Sequence, residues 1–126
     1  MTQEDKNLLL KDLCGRLPYG VKCVSGVDDA TLIIEGINPN CCGASEVQVT
    51  YERSGINFDT TLSAIKPYLF PMSSMTEEQI KEVNKLSSLR VFPNLYLFNW
   101  YFENHIDIYG LIPMGLANDA TGKNIY

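Results

Sequence analysis

Four residues in this chain could together carry out nucleophilic chemistry. Cys41 and Cys42 are adjacent in a turn-like stretch, and His105 and Asp107 lie two residues apart further along the chain. A thiol becomes an effective nucleophile when a histidine takes its proton and a carboxylate orients that histidine. A cysteine-dependent hydrolase is therefore one hypothesis. The leading prediction is that no residue is catalytic, because free thiols usually pack as small apolar side chains.

Metal and nucleotide sites have little support in the spacing of residues. Adjacent Cys41 and Cys42 lack the two-residue gap of a zinc knuckle, and a single histidine leaves too few further ligands. The glycines are isolated, so none begins the glycine-rich loop that cradles a phosphate. We therefore expect no metal and no cofactor.

The charge pattern disfavours nucleic acid as a partner. Against 10 Lys and Arg the chain carries 15 Asp and Glu, which gives a net charge of −5. The tightest basic group lies on one predicted helix and alternates with acids, as Lys81, Lys85 and Arg90 among Glu77, Glu78 and Glu82. Such alternation is typical of a salt-bridged solvent face. A nucleic-acid accessory factor is a second alternative only, because neutralising phosphates needs a clustered basic surface.

Length and cysteine usage predict one domain in a reducing compartment. A chain of 126 residues that is 45% hydrophobic has the size and composition of a single globular domain. No apolar run approaches the ~18 residues that span a bilayer, and the first five residues are acidic where a secretory signal would be basic. The four cysteines are then expected to be free thiols. The prediction is a cytoplasmic protein without membrane association.

Hydrophobic periodicity in residues 1–64 predicts one helix followed by strands. Apolar residues recur at helical spacing over 3–14. Short segments rich in β-branched residues, each bounded by a turn signal, follow at 21–24, 30–37, 46–52 and 56–62. These turns leave no room for parallel crossovers. They indicate a four- to five-stranded antiparallel meander or a small SH3-like barrel, with an open sheet carrying all helices on one face as the alternative.

A proline-bounded joint separates this part of the chain from the next. Pro67 and Pro71 fix their own φ angles and bias the residues before them away from the helical region. Residues 65–75 are therefore predicted to form a joint that no long regular element crosses. Their apolar content indicates that the joint packs against the core.

Two C-terminal helices complete the predicted fold over residues 76–117. Thr76 offers an N-cap for the first helix, with Gln79 in the capping-box position, and this helix is expected on the surface. Asn94 offers the cap of the second helix, which is apolar nearly all round. Residues 118–126 are predicted to form a polar tail. A helix, then strands, then helices is the order of an α+β domain.

The aromatic residues of the second predicted helix form a candidate interaction site. Its inward stripe is predicted from the helical spacing of Leu95, Phe98 and Phe102. Three further aromatic side chains must then point elsewhere: Tyr96, Trp100 and Tyr101. Either a second layer covers them, which Leu111, Ile112 and Leu116 could supply, or they stay partly exposed and anchor a partner.

Several stretches of the chain are similar to a known group of proteins. These are 1–6, 8–14 (LLLKDLC), 17–22 (LPYGVK), 65–69 (IKPYL), 71–76 (PMSSMT), 106–112 (IDIYGLI) and 115–117. They resemble a group of short uncharacterised proteins of gut Bacteroidetes genomes and prophages. The resemblance implies a bacterial or phage origin and no particular chemistry, and at position 108 the group carries a basic residue more often than the isoleucine found here.

The hypothesis for function that follows is a small adaptor or regulatory module. It would act by contact with a protein partner or with further copies of itself, and it would not be an enzyme. The cysteine-dependent hydrolase and the nucleic-acid accessory factor are the alternatives from other classes.

Overall fold

The computed structural model describes residues 2–26, 28–38 and 46–126, and it confirms the α+β class. Within these ranges three α-helices and six strands follow one another, in the order helix, five strands, two helices and a short last strand. Their bounds are α1 Gln3–Arg16, β1 Lys22–Ser25, β2 Thr31–Ile37, β3 Val47–Tyr51, β4 Asn57–Thr60, β5 Ile65–Leu69, α2 Glu77–Ser87, α3 Pro93–Glu103 and β6 Asn118–Asp119.

One six-stranded sheet organises the fold, in the order β4-β3-β2-β1-β5-β6. All pairs are antiparallel except β5 with β6, which is parallel, and β2 shifts register against β3 between Ile34 and Gly36. The predicted antiparallel meander is confirmed for β1 to β4. The predicted small barrel is not found, because β4 and β6 lie at opposite edges and the sheet stays open.

The core lies between α1 and one face of the sheet. Alternate residues of β1 and β2 are buried, as the two-residue period of a strand requires. The buried apolar cluster comprises Leu9, Leu13, Val21, Cys23, Leu32, Ile34, Val47, Val49, Leu62, Ile65, Leu69, Leu111, Leu116 and Ala117. Leu111 and Leu116 thus belong to this main core.

Helix α1 is continuous through Gly15 because a neighbouring ring packs there. A capping box between Thr2 and Asp5 starts the helix, and it runs on to Arg16, two residues beyond the predicted end. A methyl group at Gly15 would come within 2.5 Å of the Phe102 ring. Gly15 therefore permits the close approach of α3 to α1.

Part of the predicted joint, residues 65–69, forms the short strand β5, a regular element that the proline positions did not indicate. Strand β5 pairs with β1, and Pro67 lies opposite Cys23. Strand β6 pairs only with Tyr68 and Leu69. Pro67 therefore lies where β5 is paired on one side only, and a proline is tolerated at such a place in a sheet.

The C-terminal residues are integrated into the fold and do not form a free tail. Asn118 and Asp119 form β6, and Ala120 is buried. The Tyr126 hydroxyl donates to the Tyr68 carbonyl at 2.8 Å and accepts from the Lys22 amide at 2.9 Å. Separately, no helix in the described ranges combines the length and apolar character that crossing a membrane requires.

Candidate interaction surface

Helix α3 is rotated relative to the orientation that the sequence predicts. Tyr101 is buried, whereas Leu95 and Phe98, which the spacing assigned to the inward stripe, are 56% and 47% exposed. The buried side of α3 is the one that carries Tyr101, together with half-buried Leu97 and Trp100. The inward stripe predicted from Leu95 and Phe98 is therefore wrong. The pattern alone could not choose the side, because both sides of α3 are apolar.

The exposed side of α3 and the residues before it form one apolar surface. Five large apolar side chains within eight residues are exposed, and we call them the α3 face: Val91, Phe92, Leu95, Tyr96 and Phe98. Leu95 and Phe98 are neighbours on the helix at a spacing of three residues. Clustered exposed apolar side chains of this kind mark interaction sites, unlike single scattered ones.

Phe92 occupies a strained backbone conformation at the start of α3. Its φ of 49° and ψ of 50° lie in the left-handed region, which costs a residue with a side chain roughly 1–2 kcal/mol. Its ring is nevertheless 68% exposed, so no burial within the chain offsets this cost. Strain of this kind clusters at functional sites.

Helix α2 packs against α3 and carries exposed charged side chains. None of its residues is buried, which confirms the predicted surface helix, and its capping box between Thr76 and Gln79 forms as predicted. Across residues 2–26, 28–38 and 46–126 the ion pairs are Lys6–Glu46, Asp12–Arg16 and Lys22–Glu52. The salt-bridged face predicted for α2 therefore does not form among the residues that the structure describes.

The three aromatic residues proposed as an interaction site divide between surface and core. Tyr96 is 50% exposed and belongs to the α3 face. Trp100 is half-buried and meets Tyr101 edge-on, with the ring centroids 5.7 Å apart. Tyr101 is buried. Sequence reasoning missed Phe92, Leu95 and Phe98, and the lack of charge between Val91 and Asn99 is the signal that could have indicated them.

The residues of the hydrolase hypothesis do not meet as a catalytic group where the structure describes them. Asp107 accepts hydrogen bonds from the Leu111 and Ile112 amides at 2.8 and 3.0 Å, and it makes none with His105. Cys41 and Cys42 lie outside the described residues. Cys23 is buried, and burial raises the pKa of its thiol to about 12, which disfavours the thiolate.

His105 is held in a stack with the last residue of the chain. Its ring lies 3.6 Å from that of Tyr126 with an interplanar angle of 10°, and its Nδ1 is buried without a hydrogen-bond partner. Burial lowers the pKa of His105 to about 4, and the positive charges of Arg16 and Lys22 add to this shift. The imidazole is therefore neutral at pH 7.

We expect the buried His105 to make the fold less stable in acid. Its pKa lies below the ordinary 6.5, so between pH 6.5 and 4 the unfolded chain binds a proton that the folded chain does not. The free energy of unfolding should therefore fall by about 2 kcal/mol as the pH is lowered from 6.5 to 4, and it should be unaffected by His105 above pH 6.5.

Urea unfolding at a series of pH values checks this, with His105→Asn as the matched variant. Asparagine does not titrate here, and it tolerates the left-handed backbone that His105 adopts at a φ of 59°. The wild-type protein should lose more stability than the variant between pH 6.5 and 4. Parallel losses in the two proteins would show that His105 does not cause the acid sensitivity.

A buried ion pair that the sequence reasoning missed connects α1 to the turn after α3. Asp12 and Arg16 are both fully buried, and the guanidinium donates to the carboxylate from Nε at 2.6 Å and from a terminal nitrogen at 2.9 Å. Arg16 also donates to the Ile106 carbonyl and lies over the Phe102 ring. Burial raises the pKa of Asp12, and the bonds from Arg16 oppose that shift. The four-residue spacing of the pair was the available signal.

Two depressions are found in the described part of the surface. A groove of about 650 Å³ lies by the β3–β4 hairpin, where the Tyr51 hydroxyl donates to Asp28. A cleft of about 410 Å³ lies between the end of α3 and the C-terminal residues, and His105 and Tyr126 line it. No three His, Cys, Asp or Glu side chains of the described ranges gather as metal ligands.

Comparison of the chain with protein-family models, with curated proteins and with solved structures finds no match.

Proposed function

We propose that this protein is a non-enzymatic interaction module, which binds another polypeptide through the α3 face. The observation that carries the proposal is the exposure of Val91, Phe92, Leu95, Tyr96 and Phe98 as one group, beside a helix whose charged side chains form no ion pair among the described residues. Aromatic side chains in particular dominate the binding energy of protein interfaces.

The arrangement of the helices supports this function. The side of α3 opposite the α3 face packs against the rest of the fold, since Tyr101 is buried and Phe102 packs on Gly15 of α1. The face is therefore presented on a helix whose position the core determines. A partner that binds a rigid helix loses little conformational entropy in ordering it, which favours affinity.

Site-specific photo-crosslinking tests the proposal. A benzophenone side chain replaces Leu95 in the purified chain, which is then irradiated in an extract of the source cells. We expect a covalent adduct of defined mass, in which the partner is joined to this chain at position 95 on the α3 face. The adduct should disappear when Phe98→Glu is added, because a charge in the centre of an apolar contact opposes binding.

The matched control carries the same photo-reactive group at Ile56. This residue is 62% exposed and lies just before β4, at the sheet edge opposite β6. It should form no adduct of that mass. Equal crosslinking at the two positions, or none at Leu95, would contradict an interaction through the α3 face.

A further inference from the structure

The α3 face has the area that a dimer of this chain would need. Its five side chains are each about half exposed, and large side chains of ~200 Å² then leave on the order of 600 Å² of apolar surface in water. That is the upper end of the largest patch on an ordinary monomer, about 300–600 Å². Two copies together would bury about 1,200 Å², which exceeds the roughly 1,000 Å² expected of a specific interface.

The composition of α3 suits contact with an identical surface. Among its eleven residues the only charged side chain is Glu103, at the last position. Cores of homodimer interfaces are apolar and depleted of charge, so two such faces can meet without burying an unpaired ion. A partner that recognises its target through charged side chains would have none to contact on α3 between Pro93 and Phe102.

The charges at the two ends of α2, outside the central Lys81 and Glu82, are distributed so that they complement a copy related by a two-fold axis. Glu77 and Glu78 lie at its start, whereas Lys85 lies in its last turn and Arg90 follows the helix. All four side chains are exposed and form no ion pair with another described residue. When two copies of α2 run antiparallel, the acidic end of each faces the basic end of the other.

We propose that the α3 face binds the α3 face of a second copy, across a two-fold axis that sets the two α2 helices antiparallel. This rests on the proposed function and deepens it by naming the partner. A two-fold contact uses the same patch on both copies, so it closes after two chains. It also buries the ring of Phe92, whose backbone strain nothing within one chain offsets.

Sedimentation velocity over a range of concentrations tests the dimer. The wild-type chain should pass from monomer to dimer, and Leu95→Glu should raise the dissociation constant by at least about 30-fold, the scale of a hot-spot loss. The matched control Ile56→Glu introduces the same charge at a comparably exposed position and should leave the dissociation constant unchanged.

Phe92→Gly separates association from folding. Glycine adopts the left-handed conformation at φ 49° without strain, so at a dilution where both chains are monomeric the variant should unfold at the same or a higher urea concentration than the wild-type chain. It should nevertheless dimerise at least about tenfold more weakly, because it lacks an aromatic anchor. Full dimerisation of a stable Phe92→Gly variant would overturn the proposed interface.

An exchange of charges tests the antiparallel arrangement. The variant Glu77→Lys, Glu78→Lys, Lys85→Glu, Arg90→Glu reverses both ends of α2 and preserves the net charge. It should dimerise with itself but exchange poorly with the wild-type chain, since like charges would then meet at both ends. Free exchange with the wild-type chain would contradict the antiparallel pairing.

The outcomes distinguish this inference from the proposed function beneath it. A wild-type chain that stays monomeric at every concentration while Leu95 crosslinks to another protein overturns the dimer and leaves the interaction module. A monomer with no adduct at Leu95 overturns both. A dimer that Leu95→Glu does not weaken also overturns the assignment of its interface to the α3 face.

Discussion

Replacing Arg16 with methionine should lower the free energy of unfolding by about 3–5 kcal/mol. Methionine preserves much of the side-chain length, but Asp12 then lies fully buried without the cation that satisfies its carboxylate. The Ile106 carbonyl also loses the donor that ties α1 to the turn after α3. Removing one member of a buried pair costs more than the pair itself contributes, because a buried charge is left uncompensated.

Urea unfolding followed by the fluorescence of the single tryptophan, Trp100, measures this effect. The control is the double variant Asp12→Leu, Arg16→Met, which removes both charges and should recover most of the lost stability. The pair would not have the assigned role if Arg16→Met were as stable as the wild-type protein, or if the double variant were less stable than the single one.

Replacing Asp107 with alanine should cost about 2–4 kcal/mol of stability. Its carboxylate accepts two backbone hydrogen bonds, from Leu111 and Ile112, and Leu111 is fully buried. Hydrogen bonds to a charged acceptor contribute about 1.5–3 kcal/mol each, and a buried donor left without a partner adds a desolvation penalty. The turn that brings residues 111–117 into the core depends on this carboxylate.

Asp107→Asn is the informative comparison, because its single amide oxygen replaces the two carboxylate oxygens that accept the hydrogen bonds from Leu111 and Ile112. Its stability should fall between those of the wild-type protein and Asp107→Ala. If Asp107 instead served to orient His105 for catalysis, both variants would keep nearly full stability. That pattern would contradict the structural role assigned here.

The elements that local sequence determines could be predicted. The capping box at Thr76 sets the start of α2, which begins where this residue places it, and α1 begins at Gln3 as its apolar spacing predicts. The four strands before residue 62 form where short segments rich in β-branched residues lie between turn signals, and buried residues alternate along β1 and along parts of β2 and β3. Each of these signals lies within a few residues of the element that it specifies, so the single chain was enough.

Features that depend on distant contacts could not be predicted. Strand β5 forms because residues 65–69 pair with β1, which lies about forty residues earlier in the chain. In that pairing Pro67 lies opposite Cys23. Whether the sheet closes depends on the relation between β4 and β6, which no local pattern encodes. The rotation of α3 depends likewise on Phe102 resting on Gly15.

The sequence predicts which helix carries the candidate interaction site, but it does not predict which side of that helix is exposed. The sequence indicated α3 as unusually apolar and singled out Tyr96, Trp100 and Tyr101. The structure places Tyr96 at the surface, leaves Trp100 half-buried and buries Tyr101. Periodicity cannot choose between two apolar sides of one helix, since the choice is made by the side that fits the rest of the core.

Carbene footprinting of the whole chain tests most directly the claim that the α3 face is a contact surface. Labelling of Phe92, Leu95, Tyr96 and Phe98 in concentrated wild-type protein is compared with labelling of the dilute monomer, with Ile56 as the exposed reference. We predict that the four side chains lose labelling together as the protein associates, while Ile56 is labelled equally in both samples. Unchanged labelling of the α3 face across an association that sedimentation detects would contradict this account.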